Sequence, residues 1–292
     1  MANGKFPLCR RLKKQRIRNC MLKFFKFILS FFKYIFLFLM IPFLVISTLF
    51  INTKKEYKKN SKFYRWLLDN YTWFALVSLN VKVHIEGLDK LPKDTRFLLV
   101  QNHYSNFDPI VTWFAFQKSK LAFVSKPENF KIPFFGRMIR KCCFISIDRE
   151  NPRNAVKTID AAANLMKSDE VSIGIYPEGT RNKSYMGLLP FHNSVFKIAH
   201  KANNAPVVIV GVSGTEKIHK NVIFKRTHVY MEVLEVLSSE QVQAMRTNEI
   251  GAITEEKLLD FAKRHGHVRV ETENSEENSP SLPTENIENS AE

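Results

Sequence analysis

Cysteine is scarce in this chain of 292 residues. There are four, Cys9, Cys20, Cys142 and Cys143, with no CxxC spacing and two of them adjacent. That excludes a disulfide-stapled scaffold, argues against a zinc finger and fits a reducing compartment. Glycine and proline are also few, at 10 and 12, which excludes collagen-like and Gly/Pro-rich low-complexity chains. No internal repeat is evident. Acidic residues are missing from residues 1–33, and basic residues are missing from Glu271 to Glu292. What is present is a 45% hydrophobic composition, ample for a packed core, so wholesale disorder is excluded. Phenylalanine is abundant, at 25 residues, and crowds the N-terminus.

The net charge of +16 is unevenly spread. Residues 1–33 hold ten Lys/Arg, and "KKEYKKNSK" at 54–62 is a second basic cluster. The last 22 residues hold seven Glu, so residues 1–270 carry +23. A positive field of that size seeks a polyanion, either nucleic acid or an anionic membrane surface. The segment between the basic clusters favours the membrane. Tyr34 to Thr53 is twenty residues without a charge, the length of a bilayer-crossing helix, with basic residues and aromatics on its flanks. A secretory signal peptide competes, but its apolar core would be unusually long and no small-x-small cleavage site follows. Lys/Arg on both sides give no clean orientation, and Pro42 would kink a helix. A second stretch, 63–81, carries Trp66, Tyr71 and Trp73, which suit an interface. The expectation is two membrane-associated helices over 34–80, lying on or dipping into one leaflet, with a true span as the alternative. The catalytic domain would face the cytoplasm at the cell membrane.

From Val81 the texture becomes α/β. Strand-like runs "VKVHIEGL", "RFLLVQNH", "LAFVSK", "CFISID", "VSIGIYPEG", "PVVIVGVSG" and "HVYMEVLEVL" alternate with helical patterns. The helical patterns are "PIVTWFAFQ", "PFFGRMIRKC", "NPRNAVKTIDAAANLMKS", "HNSVFKIAHKAN" and "TEEKLLDFAKRHG". This predicts a mostly parallel or mixed sheet flanked by helices over 81–266. An acidic, disordered tail is expected over 267–292.

Four polar clusters follow strand-like runs, where α/β sheets place ligand sites. In "NHYSNFDP", His103 ends a strand and Asp108 stands five residues on, near a helix start. The carboxylate can accept the proton on one ring nitrogen, leaving the other as a base, and imidazole ordinarily titrates near neutrality. The same pair could be a structural hydrogen bond; as metal ligands it lacks a third partner at a familiar spacing. Lys126 follows "LAFVS", and Arg149 follows "FISID". "YPEGTR" brings Glu178, Gly179, Thr180 and Arg181, with a glycine for a tight turn and a guanidinium fork that matches phosphate oxygens. Glu178 is expected to hold that guanidinium or to accept a substrate hydroxyl. Three cations after separate strands suggest one anionic lipid head group.

Together, "NHYSNFDP", "FVSKPENFKIPFFGRM", "FISIDR", "YPEGTR" and "APVVIVGVSGT" resemble the glycerolipid acyltransferases, nearest the 1-acyl-sn-glycerol-3-phosphate acyltransferases. The resemblance covers about residues 80–225 and implies a glycerol-3-phosphate acyltransferase-like fold. It places the family's NHxxxxD motif on Asn102, His103 and Asp108, with His103 as catalytic base and Asp108 as its orienting carboxylate. It places phosphate binding on Lys126, Arg149 and Arg181, and the EGTR-type motif on Glu178, Gly179, Thr180 and Arg181. Ile209, His192 and Ser194 depart from the family's usual residues, and Pro127 stands where a basic residue is common. The implied reaction moves an acyl group from a coenzyme A or acyl-carrier-protein thioester to the sn-2 hydroxyl of lysophosphatidic acid, giving phosphatidic acid. It needs no metal or other cofactor, and the implied partners are the bilayer, lysophosphatidic acid and the acyl thioester, with no nucleic acid. Backbone N–H groups near Gly179 are candidates for holding the oxyanion. Alternatives are glycerol-3-phosphate or another lysophospholipid as acceptor, Cys142 or Cys143 as acyl-enzyme nucleophile, and a non-enzymatic basic binding protein.

Overall fold

The computed structural model describes residues 6–147, 152–221 and 225–268. Two helices lead, α1 (Phe6–Leu49) and α2 (Lys62–Ser78). Then follow β1 (Val81–Glu86), β2 (Leu98–Gln101), α3 (Asp108–Ala115), β3 (Leu121–Ser125), α4 (Phe135–Lys141), β4 (Ile145–Ser146), α5 (Pro152–Lys167) and β5 (Ser172–Ile175). The chain continues through α6 (Lys197–Lys201), β6 (Val207–Ser213), α7 (Ile218–Asn221), β7 (Thr227–Leu237), α8 (Ser239–Ala244) and α9 (Thr247–Arg264). The strands form one sheet in the order β1-β7-β6-β2-β5-β3-β4. Every pairing is parallel except β6 with β7.

The central strands read as unbroken apolar runs because both their faces are covered. Leu98, Val100, Val207 and Ile209 face a layer made by Ile159 and Ala163 of α5, Ile198 of α6, Val242 of α8 and Leu258 of α9. Leu99, Val208, Val210 and Val212 face the other way, onto Leu67 and Leu76 of α2, Val111 and Trp113 of α3 and Met138 of α4. β7 alternates instead, with Val229, Met231 and Val233 in the core and His228 and Tyr230 outward.

Several boundaries differ from the sequence reading. "CFISID" yields only Ile145–Ser146 as strand, because the cysteines belong to the end of α4. Cys143 is left-handed (φ +62°); Phe144 N–H bonds Ile139 O at 3.1 Å and Cys143 N–H bonds Arg140 O at 3.2 Å, the Schellman pattern that stops a helix. The last helix begins at Thr247, earlier than its apolar spacing suggests. Gly251, which weakens the helical pattern, lies against the Asn193 side chain where a Cβ would collide. "HNSVFKIAHKAN" splits into a 3-10 turn, Asn193–Phe196, and the short α6.

Among the described residues no helix is long and apolar enough to cross a membrane. The end of the uncharged stretch Tyr34–Thr53 is committed to the protein instead. Leu44 and Thr48 are buried, Tyr34 Oη donates to Ser78 O at 3.3 Å, Tyr64 Oη donates to Ser47 O at 2.8 Å, and Arg137 donates to Thr48 O at 3.3 Å. α2 is divided lengthwise, with Leu67, Leu68 and Leu76 in the core and Phe63, Trp66 and Trp73 exposed. From residue 269 the expected acidic tail lies outside the described residues.

The sheet is close-packed where β5 passes β3. A Cβ on Gly174 would lie 2.6 Å from Cε1 of the Phe123 ring, and that ring is buried. The substitution Gly174→Ala is therefore expected to destabilise the fold by about 1–3 kcal/mol through overpacking, read from the urea unfolding midpoint. A midpoint equal to wild type would contradict this packing.

Candidate active site

β2, β3, β5 and β6 run parallel to one another, so their C-terminal ends meet at one edge. His103 and Asp108 lie just past β2, Lys126 past β3, Tyr176 to Arg181 past β5, and Ser213 to Thr215 at the end of β6. Gathering residues from four separate chain segments at this edge is what a parallel sheet does.

Asp108 is fully enclosed, at 0% exposure. Its Oδ2 accepts Tyr104 N–H and Ser105 N–H, both at 2.7 Å, and His103 Nδ1 lies 2.8 Å from the same oxygen. Thr215 Oγ1 donates to the other oxygen, Oδ1. Four donors therefore meet the two oxygens of this buried carboxylate, which acts as an acceptor at each of them. The carboxylate also stands in the first turn of α3, where the helix dipole favours a negative charge. Because the ionised carboxylate only accepts, His103 must carry its proton on Nδ1. Nε2 is then the basic nitrogen, on a side chain 16% exposed. The imidazole lies over the Tyr176 ring, with centroids 4.0 Å apart and planes 19° apart.

The backbone on either side of His103 is also fixed. Asn102, the first residue of the NHxxxxD pattern, is buried. Its side chain donates to Val212 O and accepts Val212 N–H, both at 2.9 Å, so it locks the end of β2 to β6. Asn182 N–H donates to His103 O at 2.8 Å.

Glu178 takes a different part from the one the sequence suggested. It is buried, and its two oxygens accept His103 N–H at 2.8 Å and Leu189 N–H at 3.0 Å. It braces the loop that carries His103. Gly179 makes the turn (φ +70°), and its N–H is taken by Tyr176 O at 3.0 Å, so that donor is already spent. Thr180 is exposed and Arg181 half-buried beside it. Lys126 is exposed at the start of a short 3-10 turn, Pro127–Lys131. Arg149 lies outside the described residues. Cys142 and Cys143 are buried, and burial pushes both thiols up to about 12. A thiol held that high is not a nucleophile near neutral pH. Among the described residues no group of three or more His, Cys, Asp or Glu is placed to hold a metal.

Thr215, Tyr176 and Asn182 were given no role by sequence reasoning. Thr215 ends a quoted motif, but its partner depends on β6 lying beside β2, which no local pattern reveals.

Burial raises the Glu178 carboxyl from its ordinary 4.5 to about 7, against the pull of its two N–H donors. The folded protein thus holds this proton more tightly than the unfolded chain. The resulting stability is present below the unfolded value and is lost as pH rises through about 7. In Glu178→Gln the group no longer ionises. Between pH 4.5 and 7.5 the unfolding free energy should therefore shift in the variant's favour, relative to wild type, by on the order of 2 kcal/mol. Urea titrations across this range check it; a constant difference, or a shift toward wild type, would contradict the assignment.

Residues 82–213 match the family model described as Acyltransferase. The 1-acyl-sn-glycerol-3-phosphate acyltransferase of Streptococcus pneumoniae is 28% identical over 174 residues, which cover 58% of this chain and 65% of that protein. That of Haemophilus influenzae is 33% identical over 136 residues, 45% of this chain and 56% of that protein. That of Escherichia coli is 32% identical over 174 residues, 57% of this chain and 68% of that protein. The matched region thus spans a little over half to about two thirds of these relatives' length. The fold is shared with the crystal structure of the 1-acyl-sn-glycerophosphate (LPA) acyltransferase PlsC from Thermotoga maritima. The TM-score is 0.60 at 22% identity, covering 83% of this chain and 96% of that one. A mixed sheet with the NHxxxxD pair at its carboxyl edge, and this degree of likeness, make the chain a member of the 1-acyl-sn-glycerol-3-phosphate acyltransferase family.

Proposed function

We propose that the protein transfers a fatty acyl group from an acyl thioester to the sn-2 hydroxyl of 1-acyl-sn-glycerol-3-phosphate, forming phosphatidic acid in phospholipid biosynthesis. The observation that carries the proposal is the 2.8 Å contact between His103 Nδ1 and the buried Asp108, which leaves Nε2 as a base at the carboxyl edge of the sheet. The relatives' names supply the substrate class.

In this reading His103 Nε2 removes the proton of the acceptor hydroxyl as its oxygen attacks the thioester carbonyl carbon. The tetrahedral oxyanion collapses, the C–S bond breaks, and the imidazolium returns the proton to the departing thiolate. The products are an ester and a free thiol, so protons and charges balance without a further reactant. Asp108 holds the tautomer and stabilises the transient imidazolium. Arg181 and Lys126 stand at the same edge as His103 and offer positive charge for the acceptor's phosphate, and Arg149 is assigned there from the motif alone. The thioester is that of coenzyme A or acyl carrier protein.

The acceptor and the product are amphiphiles, and the protein has a surface suited to them. α1 exposes Phe24, Phe25, Phe31, Phe32 and Phe38 beyond a basic stretch with exposed Lys14, Arg16, Arg18 and Lys23. α2 adds Phe63, Trp66 and Trp73. Aromatics beside cations suit binding along an anionic leaflet, with the catalytic domain on the cytoplasmic side of the cell membrane.

The test is product analysis with radiolabelled acyl donor of both kinds and defined acceptors. Wild type should yield phosphatidate from 1-acyl-sn-glycerol-3-phosphate. His103→Ala should lose about 10²–10⁴-fold of that rate, while still sedimenting with anionic phospholipid vesicles. Absence of product across all donors and acceptors, or full activity in the variant, would overturn the proposal.

A further inference from the structure

His267 lies three residues past the end of α9 and outside the region matched by the family model, yet it is buried against the active-site loop. Its ring Nδ1 is 2.8 Å from the carbonyl oxygen of Tyr185. A carbonyl only accepts, so the ring proton is on Nδ1. Nε2 then accepts the hydroxyl proton of Ser213, 2.8 Å away. The ring stacks on Tyr104, with centroids 4.6 Å apart. The His267 main chain joins in: its carbonyl accepts Gly187 N–H at 2.6 Å, and its N–H donates to Ala262 O at 2.8 Å.

The loop held in this way begins at Arg181. It doubles back through two left-handed residues, Tyr185 (φ +58°) and Gly187 (φ +61°). A tyrosine in that region is strained and persists only where its surroundings enforce it. On one side the loop is pinned by Asn182, whose amide donates to Met186 O at 2.9 Å and Gly187 O at 3.1 Å. Tyr104 Oη adds a bond to Gly187 O at 2.8 Å. On the other side the Tyr185 carbonyl is held by His267. The Asp108 carboxylate is held by other donors, namely the main-chain N–H of Tyr104, Ser105 N–H, His103 and Thr215; the two sets meet only at Tyr104, whose side chain faces the loop while its N–H faces Asp108.

We infer that His267 is a positioning residue for the acceptor-binding side of the site, fixing the Arg181–Gly187 loop without itself touching His103 or Asp108. The inference rests on the acyltransferase reading for its kinetic consequence, but not for its structural one. His267→Phe keeps a ring to stack on Tyr104 and removes both side-chain hydrogen bonds. It should raise KM for the lysophosphatidate acceptor about five- to tenfold, the scale of one buried hydrogen bond. kcat, its pH profile and KM for the acyl donor should stay near wild type. His267→Asn retains an N–H at the Nδ1 position and should recover most of the acceptor KM. Hydrogen exchange of the full-length protein gives a readout independent of activity: amides of residues 184–189 should exchange faster in His267→Phe and return toward wild type in His267→Asn. Unchanged exchange in that loop overturns the inference even if wild type makes phosphatidate. So does a variant in which kcat and both KM values worsen together without rescue by asparagine. If wild type makes no acyl-transfer product, the acyltransferase reading falls, and the exchange comparison alone decides the role of His267.

Discussion

A carboxylate with no access to water must be satisfied by the protein around it, and the arrangement of this site follows from how Asp108 is satisfied. Its four donors come from the loop after β2 and from the end of β6: His103, Tyr104, Ser105 and Thr215. Those segments are brought together only because β2 and β6 are neighbours, a neighbourhood that Asn102 reinforces with two bonds to Val212. Without the sheet order, the carboxylate would lose Thr215, its donor at Oδ1.

A second carboxylate, Glu178, lies close by and behaves differently. Two backbone N–H groups are its partners, and burial raises it toward neutrality. One acid therefore orients the imidazole, and the other braces the main chain that carries it. Tyr176 completes the setting by covering one face of the His103 ring, so Nε2 is presented in a restricted direction.

The parts of this arrangement that depend on local pattern could be read from the sequence. His103 and Asp108 are five residues apart across one tight loop, a spacing that lets the side chains meet while the roles assigned to them rest on the family resemblance. The central strands were visible as apolar runs, and α5 by its spacing. What escaped depends on assembly. Thr215 reaches Asp108 across 107 residues, and His267 reaches Ser213 across 54; both contacts need the strand order. Glu178 was assigned to the substrate because a conspicuous charge in a Gly loop suggests a ligand, whereas here it meets backbone donors. The extended pattern of "CFISID" reads Cys143 as strand, but Cys143 is left-handed and ends α4. A twenty-residue uncharged run matches a membrane span by length, yet the packing of Leu44 and Thr48 ties its end to the domain.

The most direct test is the protonation of the His103 ring itself, observed by nitrogen NMR of protein labelled with ¹⁵N-histidine. Comparison with His103→Gln assigns the signals. The geometry predicts that neutral His103 bears its hydrogen on Nδ1, strongly hydrogen-bonded, with Nε2 bare, and that Asp108→Asn abolishes this preference. A hydrogen on Nε2 in the wild-type protein, or a tautomer unchanged by Asp108→Asn, would contradict it.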